Sequence, residues 1–199
     1  GLWRIRGRQV GDARAALARP VQSTLFFAGE AADAKGEAAT VAGALQSGER
    51  AAKHPERVRE ILRRGHAIGN HSATHPAYWF WALGPRRMRR EIAETQTILT
   101  GIIGEPPRWF RAVVGMSNPF VHSALRMHGL ARVAWSARGY DGVEGDAAEV
   151  VDRIERDLAP GAIVLLHEGA THGRNVETVS LLLQRLDTLG YRTILPEAL

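Results

Sequence analysis

The chain of 199 residues has no cysteine. Thiolate nucleophiles, zinc knuckles and a disulfide framework are therefore excluded, and any metal is left to His, Asp or Glu. Lysine is nearly absent too, Lys35 and Lys53 being the only two among 26 basic side chains. The net charge of +5 and the pI near 10.4 thus rest on arginine. Arginine and alanine enriched together reflect GC-rich coding rather than a nucleic-acid footprint, so no nucleic-acid partner is expected. The densest basic cluster, Arg86-Arg87-Met88-Arg89-Arg90, is followed by Glu91 and Glu94. It reads as the solvated face of a helix laced with i,i+4 ion pairs. No apolar run approaches the roughly 20 residues that span a bilayer. The opening Gly1-Leu2-Trp3-Arg4-Ile5-Arg6 also lacks the apolar core of a signal peptide. Compartment and oligomeric state stay open.

A chain of this length buries one substantial core without staples, and a single domain is expected. From Val21 onward short apolar runs alternate with amphipathic stretches, the pattern of repeated β–α units around a mainly parallel sheet or barrel. Residues 1–20 stand apart from that pattern. Thr24-Leu25-Phe26-Phe27 reads as a buried strand, Ala31 to Ala51 as an inserted loop or weak helix, and His54-Pro55-Glu56-Arg57 as the start of a helix that stops at Gly65. Ala67 to Asn70 is a short strand. A longer helix is expected from Pro85 to Ile103, with Met88, Ile92, Ile98, Leu99 and Ile102 on its buried side and Gly104 ending it. Strands are expected at Trp109 to Arg111 and Arg132 to Trp135, with a helix from Pro119 to Met127 between them. Asp146 then caps a helix to Leu158. Ala162 to Leu166 is an apolar strand, and a helix from Val176 to Leu189 precedes a last strand, Tyr191 to Leu195.

Candidate chemistry begins with His71 and His75 in Gly69-Asn70-His71-Ser72-Ala73-Thr74-His75-Pro76. On a helical or turn-like segment, positions i and i+4 put Cβ atoms about 5–6 Å apart, close enough for two imidazoles to share one zinc, cobalt, nickel or iron ion. The bare pair is also a common accident. Its company is more specific: Arg111 and His167 each end an expected strand, and Asp141 lies just past another. Singly, His167 reads equally well as a satisfied rim histidine, Arg111 as a surface cation and Asp141 as a turn residue before Gly142. Together they stand at successive strand ends, where α/β barrels carry their ligands and catalytic groups.

From Ser23 to Leu195 the chain resembles the polysaccharide deacetylases, also called the NodB-homology or carbohydrate esterase family four domain. Gly65-His66-Ala67-Ile68-Gly69-Asn70-His71-Ser72-Ala73-Thr74-His75-Pro76 is similar to the second family motif almost residue for residue. Trp109-Phe110-Arg111-Ala112-Val113-Val114-Gly115-Met116-Ser117-Asn118-Pro119 resembles the third, Trp135-Ser136-Ala137-Arg138-Gly139-Tyr140-Asp141 the fourth, and Ile163-Val164-Leu165-Leu166-His167-Glu168-Gly169 the fifth. The resemblance implies an α/β fold, a distorted and incomplete (β/α) barrel, with residues 1–20 as an atypical N-terminal segment and 21–199 as the deacetylase-like domain. It implies metal-dependent hydrolysis of N-acetyl groups on the amino sugars of a bacterial polysaccharide or glycoconjugate, in the cytoplasm or cell envelope. By position, His71 and His75 would bind a divalent ion, zinc foremost. His167 would be the general acid, Asp141 its partner, and Arg111 the residue that orients the base carboxylate. Leu166 and Trp135 would contact substrate, Leu166 lining the pocket for the acetyl methyl. His66 would have a structural role, leaving His54, His122, His128 and His172 as surface or capping residues.

The first family motif, an apolar strand ending in Thr-Phe-Asp-Asp-Gly-Pro, has no counterpart; Trp3 to Asp12 stands where it belongs. With it go the base and the third metal ligand, so weak metal affinity and little turnover are expected, catalytic zinc sites having three protein ligands as a rule. Three explanations compete: a truncated or frame-shifted start, a noncatalytic carbohydrate-binding pseudoenzyme, or spatial substitution by Asp12 or Asp33. Val113 stands in place of a usual proline, Arg138 in place of a frequent acid and Gly142 in place of a tryptophan.

Overall fold

The structure, a computed structural model, describes residues 2–6, 25–27, 51–167 and 170–195, the first two stretches as backbone only. Asp12, Asp33, Glu168, Gly169 and nearly all of the expected loop from Ala31 to Ala51 lie outside the described residues. The strands are β1 (Leu2–Arg6), β2 (Leu25–Phe27), β3 (Ala67–Gly69), β4 (Trp109–Phe110), β5 (Ala131–Arg132), β6 (Ala137–Arg138), β7 (Ile163–Leu165) and β8 (Arg192–Ile194). The helices are α1 (Pro55–Arg63), α2 (Pro85–Ile103), α3 (Pro119–Met127), α4 (Ala147–Arg156) and α5 (Asn175–Thr188). None of them is long and apolar enough to cross a membrane.

Three strand pairs are parallel: β2 with β3, β4 with β5, and β6 with β7. β1 departs from the expected parallel pattern by running antiparallel to β2, β7 and β8. Each parallel pair leaves an edge of unpaired N–H and C=O groups, and β1 closes two of those edges at once. The resulting sheet runs β3-β2-β1-β7-β6, and Asn70 bridges its β3 edge to Phe110 of the small β4-β5 sheet. The architecture is the expected α/β fold, a distorted and incomplete (β/α) barrel. Val133 and Leu165, with Trp109, Trp135, Ile163 and Ala67 packed on them, form one apolar cluster between the two sheets.

Helix limits follow local chemistry. Proline at the first turn starts α1, α2 and α3, where a missing N–H costs nothing. Gly104, with φ 86°, terminates α2 in the left-handed conformation that glycine adopts freely. Asn118 accepts from Phe120 N at 3.0 Å, and Asp146 accepts from the amides of Ala148 and Glu149. The buried side of α2 is Met88, Ile92 and Leu99 as expected, while Ile98 and Ile102 are only half-buried. Glu91, Thr95 and Gln96 are buried in their company. The strand expected over Arg132 to Trp135 is displaced. Pairing with β4 covers Ala131–Arg132, and Val133 N still donates to Phe110 O before the chain turns off at Trp135. The next strand, Ala137–Arg138, is too short to leave a periodic signal.

Gly139, directly after β6, fixes how closely that strand approaches α4. A Cβ there would overlap both the Val150 side chain and its carbonyl oxygen. The Gly139→Ala variant is expected to lose about 1–3 kcal/mol of stability through overpacking against backbone that cannot yield, measured as a lowered urea midpoint.

Candidate active site

Four loops at the C-terminal ends of β3, β4, β6 and β7 carry the candidate residues. The first begins at Asn70, which is fully buried. Its amide donates to Trp109 O at 2.8 Å and its carbonyl accepts from Arg111 N at 3.0 Å. Its side-chain amide donates to Ile92 O and to Gln96 Oε1, both at 2.9 Å, while its Oδ1 accepts from Ser72 N. One asparagine therefore aligns β3 with β4, anchors both to α2, and opens the turn that carries the histidines.

That turn is held from the other side by Glu91. Its carboxylate accepts from Thr74 N at 2.9 Å and from Thr74 Oγ1 at 2.7 Å, and its carbonyl accepts from Ala73 N at 3.1 Å. Glu91 was expected on the solvated face of α2; among the described residues only Arg90 and Glu94 form the pair anticipated there. The inward turn of Glu91 has a simple cause, since the loop presents two donors that no backbone acceptor reaches. Within the turn, Ser72 and His75 take left-handed φ values of 70° and 45°, conformations that cost a non-glycine residue energy and persist only when surroundings impose them.

The outcome is a tight imidazole pair. His71 and His75 are both buried, their rings meet edge to face with centroids 4.8 Å apart, and the two Nε2 atoms lie 3.1 Å apart. Two nitrogens on one tetrahedral zinc ion, each at about 2.0–2.1 Å, stand about 3.3 Å apart, so the pair fits two positions of such an ion. His71 Nδ1 lies 2.7 Å from the Arg111 carbonyl. That contact requires the proton on Nδ1 and leaves the Nε2 lone pair available to a ligand. Burial, then the charge of Arg111, then the neighbouring His75 and His167 hold the His71 pKa well below its ordinary value, so the ring is neutral at pH 7. Among the described residues no His, Asp or Glu joins the two histidines to make a group of three.

A second polar unit faces the first. Asp141 is buried, and its carboxylate accepts from His167 N at 2.5 Å and from His167 Nδ1 at 3.0 Å. The His167 side chain remains 29 % exposed. Protonation of Nδ1 toward the carboxylate leaves Nε2 as the nitrogen that exchanges a proton. Asp141 is itself braced: His172 Nε2 donates to its carbonyl at 2.8 Å, and Asn175 Nδ2 lies 3.4 Å from the same oxygen. Asn175 also donates to His167 O at 2.9 Å and accepts from Ala170 N at 2.9 Å. His172 accepts from Arg174 N as a capping residue would, yet its contact with Asp141 makes it part of the site's support. Nothing in the spacing of Asn175 or His172 marked them, because their partners are backbone groups, the Asp141 carbonyl among them 31 to 34 residues away.

Arg111 is buried beside the pair, and its charge acts on His71. Leu166 sits in the apolar cluster with Val150, Ile154 and Leu182 that lies beneath α4 and α5. Trp135 is half-buried, its ring so close to Gly115 that a Cβ there would come within 2.6 Å of it. His66 is half-buried at the start of β3, its pKa lowered by burial and then by Arg64. His54 occupies the N-terminal cap of α1 without a side-chain cap bond.

Comparison with known proteins places this arrangement. The polysaccharide deacetylase family model matches residues 18–133. A chitooligosaccharide deacetylase of Sinorhizobium fredii is 31% identical over 123 residues, 61% of this chain and 56% of that protein. A peptidoglycan-N-acetylmuramic acid deacetylase of Bacillus subtilis is 24% identical over 147 residues, 74% of this chain and 30% of its own. The chain thus spans about half the length of the chitooligosaccharide deacetylases it matches. Among solved structures, a mutant of a family 4 carbohydrate esterase pseudoenzyme with restored enzymatic activity superposes with TM-score 0.72 at 18% identity, covering 89% of this chain and 57% of that one.

Two outcomes follow from the geometry. Removal of the Glu91 carboxylate in Glu91→Ala leaves the Thr74 donors buried without an acceptor and should cost about 1–3 kcal/mol, read from urea unfolding. The lowered pKa of His71 contributes stability that is complete above the unfolded-state pKa of about 6.5 and is lost as pH falls below it, at up to about 1.4 kcal/mol per pH unit. In chelator, unfolding free energy should therefore drop between roughly pH 7 and pH 5. His71→Asn, which keeps a donor near the Arg111 carbonyl, should flatten that slope.

Proposed function

We propose, on the premise that the chain belongs to the polysaccharide deacetylase family, that its site binds an N-acetylated amino sugar of a glycan and hydrolyses the acetamido group to amine and acetate. The observation that carries this reading is the 3.1 Å approach of two imidazole nitrogens beside a histidine that a buried carboxylate holds. Deacetylases of this family are generally metal-dependent. His71 and His75 are the residues here that would hold the ion, and zinc suits neutral imidazole ligands. Once bound, a divalent ion supplies a Lewis acid for the acetyl carbonyl.

The remaining roles belong to the chain's own side chains. His167, oriented by Asp141 through its Nδ1, gives its Nε2 proton to the departing amine. The Arg111 carbonyl fixes the His71 tautomer, and its buried guanidinium would orient a base carboxylate, which no described residue supplies. Leu166 and Trp135 form the apolar wall for the acetyl methyl and the sugar ring. A second reading, a noncatalytic carbohydrate-binding protein, is favoured by one observation: the described residues bring only two metal-ligating side chains together.

Acetate release from N-acetylglucosamine oligomers in the presence of zinc separates the two readings. The hydrolase reading expects turnover that falls about 10²–10⁴-fold in His167→Ala and is abolished in His71→Ala, with oligomer binding retained in the former. Turnover that survives His71→Ala would overturn the metal-assisted mechanism. Absence of turnover, with binding that persists in chelator and in His167→Ala, assigns the chain to the carbohydrate-binding reading.

A further inference from the structure

We infer that the segment from Tyr78 to Arg90, with Met116 and Phe120 beside it, is a docking surface for an anionic lipid membrane. Phe80 is fully buried and stacks on Phe110 with centroids 6.3 Å apart, which anchors the segment. Around that anchor Tyr78, Trp79 and Trp81 are 71%, 67% and 54% exposed. Their display is held in place. Trp81 Nε1 donates to Tyr78 O at 3.1 Å, and Asn118 Nδ2 donates to Trp81 O at 3.0 Å and to Leu83 O at 2.9 Å. The same latch brings exposed Met116 and Phe120, the latter in the first turn of α3, alongside. Contiguous exposed apolar surface of this kind marks an interaction site, and rings with a polar edge are the side chains that concentrate at a bilayer–water boundary.

Directly after this segment, Arg86, Arg87, Arg89 and Arg90 open α2, and all four are exposed. Four cations there oppose the helix dipole. Arg90 pairs with Glu94, Glu91 is turned to Thr74, and among the described residues Arg86, Arg87 and Arg89 form no ion pair. Cations with aromatic groups beside them match phosphate head groups with an acyl boundary beneath. A stacking platform for neutral N-acetylglucosamine units would explain the tryptophans but not the arginines, because those units carry no charge to meet them. The surface begins three residues after His75 and is tied to it through Thr74 and Glu91, so a docked molecule holds its histidine loop near the lipid boundary.

Flotation of the chain with phosphatidylcholine vesicles, with and without phosphatidylglycerol, tests the proposal. Binding is expected to the anionic vesicles alone, weakening as salt rises, with a blue shift of tryptophan emission that Trp79→Ala/Trp81→Ala diminishes. The triple variant Arg86→Gln/Arg87→Gln/Arg89→Gln should lower partitioning roughly fivefold per arginine removed, lysine at the same positions should restore it, and neither change should move the urea midpoint. No binding to anionic vesicles at low salt by the folded chain would overturn the proposal, as would equal binding to both vesicle types or unchanged partitioning of the arginine variant. N-acetylglucosamine oligomers that shift Trp79 and Trp81 emission while vesicles do not would reassign the surface to a glycan.

Discussion

The hydrogen bonds of Asn70 are the constraint on which the rest of the site depends. β3 and β4 are three and two residues long, too short to define their mutual register by side-chain packing. Asn70 supplies it, pairing its backbone with Trp109 and Arg111 while its side chain spans to Ile92 and Gln96. Gln96 passes the connection on to Pro107 O at 2.7 Å, ahead of β4. A buried amide that loses any of these partners leaves a donor or acceptor unsatisfied at about 1–3 kcal/mol, so the network forms as a unit. Because the next residue is His71, an error in this register would move the histidine loop with it.

The two halves of the site are built on one plan. In each, a catalytic-type imidazole has its Nδ1 fixed by an oxygen acceptor: the Arg111 carbonyl for His71 and the Asp141 carboxylate for His167. The acceptors differ in charge, and so does their effect. A neutral carbonyl keeps the proton on Nδ1, while burial and then the Arg111 charge keep a second proton off, which leaves His71 neutral and able to ligate. A carboxylate fixes the His167 ring and its Nδ1 proton. The residues that supply the acceptors are themselves held, Arg111 N donating to the Asn70 carbonyl and the His172 and Asn175 side chains reaching the Asp141 carbonyl. Such second contacts set ring orientation to a fraction of an ångström, the precision that proton transfer needs.

Much of this was legible in the sequence, for identifiable reasons. Helix limits such as Pro85 to Ile103 were readable because proline and glycine punctuate backbone geometry locally. The histidine pair, Arg111, Asp141 and His167 were readable because chemistry-bearing residues at strand ends form an ordered pattern. Glu91 was not readable: a glutamate within an arginine-rich helix looks solvent-facing, and only the loop folded over it supplies buried donors. Asn175 and His172 escaped for the same reason, their partners lying 31 to 34 residues away at Asp141. β1 escaped because its role is to satisfy edges of strands that sit far from it in the chain.

The energetics of the histidine loop bear on which chemistry shaped it. Bringing two buried imidazole nitrogens to 3.1 Å needs left-handed backbone at Ser72 and His75, each costing on the order of 1–3 kcal/mol. It also needs the pKa depression of His71, which is a free-energy cost of the same origin as its burial. Binding a neutral sugar through apolar contact and a few hydrogen bonds demands neither. A divalent ion demands both, since it takes two unprotonated nitrogens at this separation and returns ligation energy that offsets the strain. On the proposed metal-dependent reading, ligation at this separation offsets the strain that Ser72 and His75 retain, whatever completes the coordination shell.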